Sequence, residues 1–175
     1  MKGKFTTRTL VLSALLAAMS IVLARFCVIW ITPSVRVNFG NIPVMLAGLM
    51  LGPVAGALVG AVADIVGSTV LSPYGWYAPL SVGPALIGLI AALPRGRVRK
   101  NPKYTRVLAV TLISNVIASM AYTTWILSGY NGTPFPALIA VRVPLYVGIS
   151  LVEAAVLTPI LRSPVMSYAD RLPED

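Results

Sequence analysis

The sequence contains no histidine and a single cysteine, Cys27. Without histidine there is no Ser-His or Cys-His nucleophile pair, no imidazole-ligated metal and no histidine-dependent intramembrane protease. One cysteine excludes a disulfide framework within the chain and any multi-cysteine metal site. Charge is scarce too. Only 11% of residues are charged, against about 25% in soluble domains. The acids are Asp64, Glu153, Asp170, Glu174 and Asp175. No G-x-x-x-x-G-K-[ST] stretch occurs, so the chain is not itself a P-loop ATPase. No catalytic residue, metal site or cofactor is expected.

Apolar surface is what the chain has in excess. Its 175 residues are 57% hydrophobic, with a mean hydropathy of +0.85. This is the composition of an integral membrane protein. The first apolar run is too long for a signal-peptide core and no A-x-A-like cleavage site follows a short one, so it reads as a first span. A membrane-crossing helix needs about 20 apolar residues. The runs predict helices over about 9–30, 42–51, 54–71, 80–93, 107–127 and 137–161. Thr32-Pro33 and Gly52-Pro53 break the first two. The second and fourth are short, and are expected to be tilted, broken or shielded by neighbours. No alternating barrel pattern is present. The fold class is therefore an all-α six-helix membrane bundle, one domain over residues 1–175.

Charge sets the orientation. Lys2, Lys4, Arg8, Arg95, Arg97, Arg99, Lys100, Lys103, Arg106, Arg162 and Arg171 fall on one side, and Arg36 alone on the other. Cytoplasmic loops carry the excess of Lys and Arg. Both termini and the basic loop about 94–106 are thus cytoplasmic. The net charge of +9 is loop charge and implies no nucleic-acid partner. The outer loops, about 31–41, 72–79 and 128–136, are rich in Gly, Pro, Asn and aromatic residues, and could form one lid. The middle one reads "SPYGWYAP". Pro73 and Pro79 limit the entropy lost on closing, and Gly75 permits a tight turn. Tyr74, Trp76 and Tyr77 offer a cover for a planar ring. An interfacial aromatic belt is the alternative, above all for Trp76.

Four charges fall inside apolar runs: Arg25, Asp64, Arg142 and Glu153. Such charges are costly in a bilayer and mark function by default. Asp64 continues a stripe of Gly52, Gly56 and Gly60 toward Ser68, at a spacing that lets helices approach closely. Arg142, Tyr146 and Glu153 share one helical face, as do Thr111, Asn115 and Tyr122. One reading makes these charges interhelical glue, the acids pairing with Arg25 or Arg142. The other makes them a polar pocket near the outer surface. Arginines there, with Arg36, suit an anionic ligand, because guanidinium binds carboxylate bidentately. A carboxylate suits a heterocycle with adjacent N–H donors. Two buried acids would also serve a proton-coupled carrier. The chain is short for an inverted-repeat transporter, and a membrane enzyme would have few catalytic groups. On the first helix, Ala14 and Ala18 make a flat patch for a partner helix. Arg25 projects from nearly the same face, about 16 Å higher, where it can serve the outer site.

Val35 to Leu93 resembles the substrate-binding S components of energy-coupling factor (ECF) vitamin transporters, and is most similar to the folate-type branch. The resemblance rests on F-G-x-I-P at Phe39 to Pro43, on G-P-x-x-G-A-L-V-G-A-x-x-D at Gly52 to Asp64, and on the Pro-x-Gly-x-Tyr-x-Pro loop at Pro73 to Pro79. It implies a non-enzymatic subunit of a bacterial plasma membrane that captures a vitamin from outside with high affinity. It further implies a transmembrane coupling subunit, docked at Ala14 and Ala18, and two ABC-type ATPases. Folate would place its pterin near Asp64, Tyr74, Gly75, Trp76 and Tyr77. Its glutamate carboxylates would meet Arg25, Arg36 or Arg142. Asn38 and Phe39 join the candidates from the first outer loop. Segments four to six match less tightly by motif, so Arg142 and Glu153, with Tyr146 on the same face, rest mainly on the facing argument. Another vitamin, such as pantothenate, is the alternative substrate.

Overall fold

The protein is described by a computed structural model covering residues 6–32, 35–71, 77–131 and 134–163. Helix α1 spans Thr7–Phe26. Thr6 caps it, its hydroxyl accepting from the Thr9 amide at 3.3 Å. The apolar run continues to Trp30, but the helix stops at Phe26. Val28, Ile29, Ile31, Thr32, Val35 and Val37 are β-branched and favour extended backbone. Strand β1 (Val28–Thr32) pairs antiparallel with β2 (Val35–Asn38), with Trp30 opposite Arg36. The expected loop about 31–41 is thus largely a hairpin, and the bundle is not purely helical.

Helix α2 (Asn41–Leu51) is apolar on all sides, and such a helix is buried. Val44, Met45, Ala47 and Leu49 have almost no exposure. Its length, about 16 Å, is roughly half of a bilayer core. It serves as an inner helix shielded by α1, α3 (Pro53–Leu71) and α4 (Ala78–Ala92). Gly52 reverses the chain at φ 108°, a conformation that favours glycine.

Glycines let α2, α3 and α4 meet backbone to backbone. A Cβ on Gly56 would stand 2.6 Å from Gly48 Cα and 2.7 Å from the Gly88 carbonyl oxygen. Gly60 lies as tightly on Pro84. Gly56→Ala is therefore expected to destabilise the bundle by about 1–3 kcal/mol, the usual cost of overpacking. Thermal unfolding in detergent measures this; an unchanged midpoint would show that the helices can separate freely.

The basic stretch after α4 is partly ordered as α5 (Arg95–Lys100). Arg95 donates from Nη2 to the Met50 carbonyl at 2.9 Å. This satisfies an orphan acceptor at the C-terminus of α2, where a cation also suits the helix dipole. Next come α6 (Tyr104–Ser114), a π-helical segment (Asn115–Thr123) and α7 (Thr124–Asn131). Together they give one apolar span over Tyr104–Gly129. Helix α8 (Phe135–Arg162) closes the bundle. Among the described residues four helices are long and apolar enough to cross a membrane, and α2 and α4 are the shorter apolar pair. The third outer loop is narrower than about 128–136, because α7 reaches Asn131 and α8 begins at Phe135.

Candidate ligand-binding site

Among the described residues, most of the polar side chains that link helices gather in two clusters. The first joins α1, α3 and α4. Ser20 donates to the Gly40 carbonyl at 2.7 Å, which ties α1 to the start of α2. In the last turn of α1, Arg25 donates from Nη2 to Ser68 Oγ at 2.9 Å, and its guanidinium covers Gly67. One turn away, Asp64 accepts from Ser81 Oγ at 2.7 Å. Asp64 is only half-buried. Tyr122 donates to the Pro79 carbonyl at 3.0 Å and holds the start of α4.

The second cluster joins α6, the π segment and α8. Glu153 has 0% exposure. Its Oε2 accepts from Asn115 Nδ2 at 2.7 Å, whereas Oε1 has no hydrogen-bond partner. Asn41, at the N-terminus of α2, flanks the same carboxylate, and a helix N-terminus favours negative charge. Asn115 also donates to Ser150 Oγ at 2.9 Å, and Thr111 donates to the Ser150 carbonyl at 3.1 Å. Nearer the outer side, Arg142 donates from Nη1 to Thr124 Oγ1 at 2.9 Å and to the Ser119 carbonyl at 3.4 Å. It lies 5.8 Å from the centre of the Tyr146 ring, within cation–π range.

The π segment decides where these groups point. The hydroxyls of Thr123 and Thr124 donate to the carbonyls of Ala118 and Ser119, five residues back. The wider turn of a π-helix advances less per residue than an α-helix. Thr111 and Asn115 share a face toward α8, but Tyr122, expected on that same face, turns to α4. Among the described residues, Asp64 takes the Ser81 hydroxyl, Glu153 the Asn115 amide, and Arg142 the Thr124 hydroxyl and the Ser119 carbonyl.

The other candidates fall as follows. Phe39 is half-buried and packs on the core. Arg36 and Asn38 lie on β2, with side chains outside the described residues. Tyr74, Gly75 and Trp76 also lie outside them. Tyr77 precedes α4 and is exposed. Ala14 and Ala18 are exposed on α1 beside Leu10, Val11, Leu15, Met19 and Val22, a continuous apolar stripe. Sequence reasoning missed Ser81, Ser119, Thr124 and Ser150. Their signal was a small hydroxyl residue inside an apolar helix, which is too common to stand out.

A family model described as "ECF-type riboflavin transporter, S component" matches residues 4–165. The chain belongs to the S components of ECF transporters. It is thus a non-enzymatic substrate-binding transport subunit, multi-pass in a bacterial membrane. This S component is 32% identical over 149 residues to the Folate transporter FolT of Clostridium novyi, covering 84% of this chain and 79% of that protein. It is 27% identical over 158 residues to the Folate transporter FolT of Leuconostoc mesenteroides, covering 84% of each. Two solved structures share the fold. A FolT bound with folic acid superposes with TM-score 0.67 at 23% identity, covering 98% of both chains. The S component for biotin from an ECF-type ABC transporter gives TM-score 0.74 at 18% identity, covering 99% of this chain and 97% of that one.

Proposed function

We propose that this S component captures folate at the outer face of the membrane and delivers it to an ECF module. The observation that carries this reading is the likeness to two curated folate transporters along 84% of the chain. The half-buried Asp64 is the group for the adjacent N–H donors of the pterin, and Glu153 in the second cluster is the other candidate acceptor. Arg25, Arg36 and Arg142 are the cations for the glutamate carboxylates, and Tyr146 and Phe39 add ring contacts. Asn38, Tyr74, Gly75, Trp76 and Tyr77 belong to the gates, at about 31–41, 72–79 and 128–136. The whole chain acts as one substrate-binding domain. A transmembrane coupling subunit docks at Ala14 and Ala18, and two ABC-type ATPases supply the energy.

The test is equilibrium binding to the purified protein from a panel of folate, riboflavin, biotin and pantothenate, read by quenching of intrinsic tryptophan fluorescence. Folate should bind at least about 100-fold more tightly than the rest, a gap of about 2.7 kcal/mol. Tighter binding of riboflavin, the vitamin in the family description, would overturn the folate assignment. A proton-coupled carrier would instead accumulate substrate alone in a pH gradient.

A further inference from the structure

The ends of α6 and α8 leave an open groove at the cytoplasmic side. Its volume is about 550 Å³, and Tyr104, Ala155, Thr158, Pro159, Arg162 and Ser163 line it. None of these residues belongs to either polar cluster. Tyr104 begins one span and Arg162 ends another. The groove therefore stands at the boundary between hydrocarbon and cytoplasm.

Its two ends differ in chemistry. Ala155 and Pro159 form an exposed apolar wall. Above them α8 exposes Leu151, Val152 and Val156, which continue that wall into the membrane. Tyr104 donates to the Leu151 carbonyl at 3.3 Å. A ring with a wet hydroxyl suits the membrane interface. At the cytoplasmic end, Arg162 donates from Nε to the Pro102 carbonyl at 3.0 Å. That bond fixes the guanidinium, and its two terminal nitrogens donate to nothing among the described residues. Lys103 adjoins Tyr104 in sequence, and Arg106 lies one turn into α6. Between residues 94 and 163 the only acid is Glu153, which is sealed in the bundle. The C-terminal dipole of α8 opposes an anion here and the N-terminal dipole of α6 favours one. These offset each other, and the cations decide the sign.

We propose that this groove holds an anionic phospholipid of the cytoplasmic leaflet. Arg162 donates to its phosphate oxygens, and the exposed Lys103 beside Tyr104 adds positive charge at the rim, as basic pockets at this depth do for lipid headgroups. An acyl chain follows Ala155, Pro159, Val152 and Leu151. Free phosphate would use the cations but leave the apolar wall bare.

The protein in neutral detergent is titrated with phosphatidylglycerol or with phosphatidylcholine, and lipid adducts and melting temperature are read. Phosphatidylglycerol should form retained adducts and raise the melting temperature, and phosphatidylcholine should do neither. Arg162→Gln should weaken retention about tenfold with vitamin binding unchanged. Ala155→Phe, which fills the groove without touching the cations, should do the same and covers the case in which Arg162→Gln misfolds. Equal effects of both lipids, or retention unaltered in both variants, overturn the proposal. Displacement of the lipid by equimolar inorganic phosphate also overturns it, in favour of a free-anion site. So does much tighter lipid binding by a chain ending at Ser163, because the acidic residues Asp170, Glu174 and Asp175 would then be the occupant.

Discussion

Asp64→Asn is expected to weaken folate binding about 10- to 100-fold while the protein stays folded. The carboxylate sits on α3, beyond the glycines that let α3 and α4 touch. Its one resolved partner is the Ser81 hydroxyl at 2.7 Å. Asparagine keeps the shape and one acceptor oxygen, and a serine hydroxyl can rotate to serve either group. The loss therefore falls on the ligand. Hydrogen bonds to a charged group contribute about 1.5–3 kcal/mol, which corresponds to about 10- to 150-fold in affinity. Radiolabelled folate binding beside a melting curve checks this. Full affinity with an unchanged melting temperature would remove Asp64 from the site. Glu153→Gln provides the comparison, because Asn115 can still donate to the remaining carbonyl oxygen. If only Glu153→Gln loses affinity, the pterin belongs at α8 rather than at α3.

Ala14→Trp with Ala18→Trp is expected to leave folate binding intact and to cut uptake by about tenfold or more. Both alanines are exposed on a stripe of α1 that faces away from the bundle. Bulk added there disturbs no described packing. It would, however, hold a partner helix off by the width of a ring, and overpacking of that kind costs about 1–3 kcal/mol. Uptake in cells and binding to purified protein are measured on the same variant. Joint loss of both would point to a folding role, and normal uptake would move the docking surface elsewhere. Arg25 does not conflict with this use of α1. Its long side chain leaves the exposed face to reach Ser68, so the stripe below it remains apolar.

Neither the family nor the fold supplies these residue roles. Family membership establishes a substrate-binding membrane subunit. The roles proposed for Asp64, Arg25 and the alanines rest on their neighbours and exposure. Among the described residues Glu153 Oε1 and Arg142 Nε lack a hydrogen-bond partner within bonding geometry, although Asn41 flanks the Glu153 carboxylate. Buried polar atoms of this kind are costly, and a ligand that satisfied them would gain that energy.

Much of the architecture follows from the sequence alone. Long apolar runs, the Gly52-Pro53 break and one-sided basic loops leave few options, because every backbone polar group in a bilayer must be satisfied within a helix or a closed barrel. Each of the six apolar runs forms a helix among the described residues, although the first helix ends at Phe26, short of its run. The glycines at 56 and 60 also announced a close helix contact. Three features were decided only by the tertiary structure. The hairpin at Val28–Asn38 formed because β-branched residues at the end of an apolar run can pair once the chain has left α1. The π segment turned Tyr122 toward α4 while Asn115 stayed on α8, a change of phase that no fixed period reveals. The partners of Asp64, Arg142 and Glu153 came from other helices, at separations of 17 to 38 residues. Spacing along one helix fixes which face a side chain shares; only packing between helices fixes what that face meets.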